Sequence, residues 1–215
     1  MKNKTYRIVE SAIMIALSFV LDYVSNLIPF TQLPLGGKFT IFSMLPIIYL
    51  GCKYGIGQGL VSGLIISLFQ LISGFAKNGA ALMLDKWYLS LIMLFIDYIC
   101  AYTVLGFAGV TSEDKNITRR LIVGSLIGTT LRYFCHIISG AIYIGSYAEF
   151  LFTEGSLAGT AFAKMIINNF SGGFLSIIYS AVYNGLYMIP EIIITLIGAF
   201  AISKIGYIRK SISNR

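Results

Sequence analysis

Runs of about 20 apolar residues recur along the whole chain, separated by short clusters of charge, glycine and proline. A run of that length crosses a hydrocarbon core roughly 30 Å thick. Inside that core each backbone group needs a partner from its own segment, and a helix supplies one residue by residue. The sequence therefore predicts an all-α integral membrane protein. Its composition fits: 57% of the 215 residues are hydrophobic and 12% charged, against about one quarter charged in a soluble domain. The first run has a charged start but no small-residue cleavage site, so it reads as a retained helix.

Breaking the pattern at charges, glycines and prolines predicts six transmembrane helices in a single domain, 1–215. They fall near 5–27, 39–52, 56–75, 88–110, 119–146 and 174–204. The second is short, and Pro46 is expected to kink it. With the amino terminus inside, eleven Lys and Arg lie on the inner side. Four, Lys38, Lys77, Lys86 and Lys164, lie outside, and Arg132 stays in the membrane. That excess predicts both termini in the cytoplasm. The outer connections, 28–38, 76–87 and 147–173, are then the long ones, and long loops often carry function. Within the last, NNFSGGF (168–174) reads as a hinge or a turn into the sixth helix.

A net charge of +7 raises the question of nucleic acid, but the basic residues sit between apolar spans and form no stripe; topology accounts for them. Cys52, Cys100 and Cys135 lie in or beside apolar segments without CxxC spacing, so they read as packing residues. The sequence contains no Walker-type phosphate loop, which argues against ATP hydrolysis by this chain.

Charged groups at membrane depth are costly, so each is a functional candidate. Four stand out: Asp22, Asp97, Arg132 and His136. Asp22, near the outer end of the first helix, is placed to reach water. Asp97, in LFIDYICAY, either pairs with Arg132 structurally or stands unpaired as a negative site awaiting a cation. Four residues after Arg132 on one helix face comes His136, the only histidine in the chain. On the sixth helix, YSAVYNGLYMIP adds Tyr179, Tyr183, Asn184 and Tyr187. A carboxylate, an imidazole, an amide and aromatic faces together suit a small, flat, polar or cationic heterocycle. An intramembrane enzyme using Asp97 and His136 as acid and base is the rival class; no partnered nucleophile or HExxH spacing supports it. On the first helix, Ala12 and Ala16 have small-xxx-small spacing, which suits either internal packing or a docking helix.

The segments LPLGGKFTIFSMLPI (33–47), LFIDYICAYTVLGFAGV (94–110), GSLIGTTLRYFCHIISGAIYIGSYA (124–148) and YSAVYNGLYMIP (179–190) resemble the thiamine-specific S-components of energy-coupling factor transporters. The resemblance implies a six-helix protein that captures the vitamin outside. It also implies partnership with a transmembrane coupling subunit and two cytoplasmic ATPases. By motif, Asp97 and Tyr98, His136, and Tyr179 and Asn184 match binding positions, with carboxylate and amide contacts expected to the pyrimidine. Ala12 and Ala16 match the coupling-subunit contact. No cofactor is implied beyond the transported thiamine. Some relatives place a stacking tryptophan where this chain has Ile144, between Tyr143 and Tyr147, which become the substitute aromatic contacts. A second tryptophan is replaced around Gly36 and Gly37, and Trp87 is either an interface anchor or a lid. A pyridoxine-like compound or a thiamine precursor stays open as the ligand.

Overall fold

The computed structural model describes residues 2–31, 38–78, 86–144, 153–154 and 158–213. Among them, five helices are long and apolar enough to cross a membrane. These are α1 (Lys2–Asn26), α3 (Ile56–Asn78), α4 (the helical span Trp87–Glu113), α5 (Ile117–Ile144) and α7 (Gly172–Ser203). Their apolar residues face outward, as expected of helices that meet lipid: Ile13, Leu17 and Val20 of α1 are exposed, while Ser11, Ile15, Ser18, Asp22 and Ser25 point inward. In a soluble protein that arrangement would be inverted.

The second predicted helix is shorter than its apolar pattern and starts later. It runs Leu45–Tyr54 (α2), with Pro46 in its first turn. Proline costs nothing there, because that N–H has no intrahelical acceptor, so Pro46 begins the helix and does not kink it. Nine of its ten residues are buried, which makes α2 the plug of the core. Ile47, Ile48, Leu50 and Cys52 pack with Ile15, Ile66, Leu105 and Leu121 from four other helices. At its end Gly55 adopts φ 92° and ψ 173°, a conformation open only to glycine, and lets α3 start at once.

The α4 span changes pitch three times, returning to α-helix over Ala101–Thr103 between its wide and its tight stretches. It begins as α-helix (Trp87–Leu94), widens to a π turn over Phe95–Cys100, and tightens into a 3₁₀ stretch over Val104–Glu113. The tight stretch lies directly on α3. A Cβ at Gly106 would fall on the backbone of Gly59 and Leu60, and one at Gly109 on that of Gly55 and Ile56.

Among the described residues, two further α-helices lie where the sequence predicts none. The first, α6 (Ala161–Asn169), lies within the connection read as loop 147–173. Thr160 caps it by accepting a hydrogen bond from the Ala163 N–H (3.0 Å). Ala163 and Ile166 bury themselves against Leu175 and Tyr179 of α7. The second, α8 (Gly206–Ser213), returns to the core through Ile212. Gly172, with φ 58°, makes the turn into α7 that NNFSGGF suggests.

At the α2 end of the bundle, Lys53 donates to both Glu10 oxygens (2.7 Å each) and lies over the rings of Tyr6, Tyr49 and Tyr54. Its side chain is 3% exposed. This pair ties α1 to α2, and Ser211 of α8 accepts from the same ammonium.

Candidate functional site

Asp97 lies in the π turn. Wide turns of this kind add a residue to the helix, re-aim the side chains around them, and recur at functional sites. Here the turn directs Asp97 at α5. Its Oδ1 accepts from Ser139 Oγ (2.5 Å) and contacts His136 Nδ1 (2.7 Å). The other oxygen, Oδ2, makes no hydrogen bond among the described residues, and the side chain stays 31% exposed.

The protonation of His136 follows from its neighbours. Arg132 Nε donates to His136 Nε2 (3.2 Å). A guanidinium has only donors, so Nε2 must accept, and the proton is on Nδ1, where it is donated to Asp97. His136 is therefore a neutral imidazole with both nitrogens committed inside the protein. What it presents elsewhere is its ring, which meets Tyr187 edge-on at 5.8 Å.

Asn184 is committed in the same way. Its amide nitrogen donates to the carbonyl of His136 (3.1 Å) and to Ser180 (2.8 and 2.9 Å), and its oxygen accepts from Tyr187 Oη. Ser180 Oγ also donates to the Ile137 carbonyl (2.8 Å). These bonds cross from α7 to α5 where Gly140 leaves room: a Cβ there would meet Ser180 Oγ and come within 2.8 Å of Asn184 Nδ2. A ligand that used the Asn184 amide would have to open one of these bonds. Along α7, Tyr179 and Tyr183 stack in parallel (6.1 Å, 6°), and Tyr183 meets Tyr187 edge-on.

The structure gathers Asp97, His136 and Asn184 around the α4–α5–α7 contact; Tyr179 packs against α6 and connects to them only through the Tyr183 and Tyr187 rings. Tyr98 turns the other way, its ring against Gly74 of α3. Tyr143, in the last turn of α5, is 38% exposed. Tyr147, Gly36 and Gly37 lie outside the described residues. Ala12 and Ala16 are both exposed on α1, on the face turned away from the core. Trp87 is 69% exposed and edge-on to Tyr88, as suits an interfacial anchor.

The sequence leaves open whether Asp97 pairs with Arg132; no hydrogen bond or ion pair joins them. The arginine pairs instead with Glu191 of α7 (3.8 Å) and lies over the Tyr102 ring (4.2 Å). Glu191 is fully buried and was not among the membrane-depth charges read from sequence, though a lone carboxylate in YMIPEIIIT carries the same signal that marked Asp97. Nor does Asp22 reach water: it is 5% exposed and bound by Lys38 (3.0 Å).

Residues 8–151 match the family model described as thiamine transporter protein (Thia_YuaJ). The chain belongs to the thiamine transporter family. Thiamine transporter ThiT of Bacillus subtilis (strain 168) is 31% identical over 203 residues, 89% of this chain and 86% of its own length. Thiamine transporter ThiT of Lacticaseibacillus paracasei is 24% identical over 151 residues, 66% of this chain and 69% of that one. A solved structure of ThiT from Listeria monocytogenes aligns with TM-score 0.62 at 20% identity, covering 98% of each chain, which shows the fold. As a thiamine transporter family member with five span-length apolar helices, the chain is a multi-pass cell-membrane protein and not an enzyme.

Proposed function

We propose that this chain is a thiamine-binding S-component that captures the vitamin from outside the cell. It passes the ligand inward in complex with a coupling subunit and two cytoplasmic ATPases. In this reading α2 is the sixth, short helix of the fold, and both termini are cytoplasmic, as the basic residues suggest. The observation that carries the proposal is Asp97 Oδ2, which makes no hydrogen bond among the described residues and lies at membrane depth beside an array of tyrosine rings. Thiamine offers the matching chemistry: a thiazolium cation for the carboxylate and the aromatic faces, and an aminopyrimidine with donors and acceptors. Binding needs no cofactor. Ala12 and Ala16 are the surface on which the coupling subunit closes.

The test is a titration of the purified protein followed by its tryptophan and tyrosine fluorescence, in buffer without added metal. Thiamine quenches saturably and pyridoxine does not. Asp97→Asn weakens thiamine about tenfold to hundredfold, the worth of one hydrogen bond to a charged group. Saturable quenching by pyridoxine and none by thiamine overturns the reading.

A further inference from the structure

Arg132 and Glu191 are two buried charges that the binding reading leaves without a role. Their geometry is not that of a stability element. The closest approach is 3.8 Å, and Arg132 Nη1 and Glu191 Oε2 have no hydrogen bond although both are buried. A buried pair with such geometry does not recover its desolvation cost, so its retention needs another explanation.

The surroundings supply one. Glu191 is anchored from a third direction: the Thr40 N–H donates to its Oε1 (3.2 Å), and the Thr40 hydroxyl donates to the same atom. Thr40 in turn bonds Ser43 (2.5 Å), whose carbonyl accepts from Ser18 of α1 (2.6 Å). Glu191 is thus fixed, and Arg132 lies between it, the Tyr102 face and His136 Nε2. Without Glu191, the carboxylate that Arg132 reaches through its contact with His136 is Asp97, one imidazole away; Asp22, the other acid whose charge acts on Arg132, is already neutralised by Lys38. A guanidinium at Asp97 would neutralise the group that the ligand needs. The charges also sum to a definite value. Asp97 and Glu191 are negative, Arg132 is positive and His136 is neutral, so the cluster carries one net negative charge, the complement of a monocation in a low-dielectric site.

We propose that Glu191 is a specificity-determining positioning residue: by holding Arg132 off Asp97 it keeps the site one charge negative, and so selects a monocation over its neutral isostere. This rests on the reading of the site as a binding site for a cationic heterocycle. It adds a residue from outside the site, acting through another side chain.

The experiment compares thiamine with an uncharged analogue whose ring quaternary nitrogen is replaced by carbon. It uses the full-length protein carrying a tag free of histidine. Wild type prefers the cation by about tenfold or more; Glu191→Gln, which brings the cluster to zero charge, erases the preference. The double variant Arg132→Gln/Glu191→Gln is again one charge negative and regains it. Because His136 is the only histidine, ¹⁵N-histidine labelling gives a single imidazole to read. Wild type shows Nδ1 protonated and Nε2 bare, and Glu191→Gln shifts the Nε2 signal as Arg132 leaves it. A Glu191→Gln protein that keeps both the preference and the imidazole spectrum overturns the proposal. If that variant does not fold, the double variant decides: no preference there is equally fatal. Failure of the wild type to bind thiamine counts against the functional reading instead, and the imidazole spectrum still reports whether Glu191 holds Arg132.

Discussion

Gly140→Ala places a methyl group at the crossing of α5 and α7. The added Cβ would overlap Ser180 Oγ and lie 2.8 Å from Asn184 Nδ2. Ser180 can rotate away only by giving up its bond to the Ile137 carbonyl, and Asn184 can move only by giving up its bond to the His136 carbonyl. Each bond is worth about 1 kcal/mol net, and overpacking costs about 1–3 kcal/mol. If the helices separate instead, the loss is of similar size. About 2 kcal/mol felt at the site corresponds to roughly a thirtyfold loss of thiamine affinity, because His136 and Ser139, which hold Asp97, are on the displaced helix. Calorimetric titration of the purified variant measures affinity, and its thermal unfolding in detergent, with and without thiamine, measures stability. An alanine variant with wild-type affinity and an unchanged melting temperature would refute the close-packed crossing and the role assigned to it.

Ala12→Trp or Ala16→Trp is expected to abolish uptake by the reconstituted complex while the solitary protein still binds thiamine; unchanged uptake defeats that expectation. Glu10→Gln takes the bidentate carboxylate from the buried Lys53 ammonium and destabilises by about 3–5 kcal/mol, whereas Glu10→Leu/Lys53→Met recovers most of the loss in the same melting assay. Thr160→Ala removes the cap of α6 at about 1 kcal/mol, and limited proteolysis should then cut between 158 and 170 sooner than in the wild type. Gly106→Val drives a side chain into the α3 backbone and should prevent accumulation of folded protein, scored by size-exclusion profile after solubilisation.

Hydropathy alone located the five long spans to within a few residues, because lipid demands continuous apolar length. It misjudged α2 for the same reason. A run buried in protein looks like a run buried in lipid, and only Pro46, read as a start signal, would have separated them. The α6 helix was legible in principle from Ala163, Ile166, Ile167 and Phe170, spaced at helical intervals behind a capping threonine. Asp97 and His136 stand out as ionisable groups in apolar sequence, and Glu191 meets the same criterion. Which carboxylate Arg132 would choose could not be read from either helix. That choice depends on the π turn, which breaks the 3.6-residue period from which facing residues are inferred, and on Thr40, more than 150 positions from Glu191.

The 3₁₀ stretch of α4 has a mechanical consequence. Three residues of 3₁₀ helix rise about 6 Å and lie one above another; four residues of α-helix also rise about 6 Å. Gly106 and Gly109 are three apart, and the α3 backbone positions they touch, Gly59–Leu60 and Gly55–Ile56, are four apart. The two helices therefore mesh like a rack and gear of equal tooth spacing. Sliding by less than a full tooth drives glycine Cα atoms into the opposing backbone, and an ordinary α-helix in the same place would fall out of step within one turn. On this geometry α3 and the 3₁₀ stretch of α4 move only as one piece.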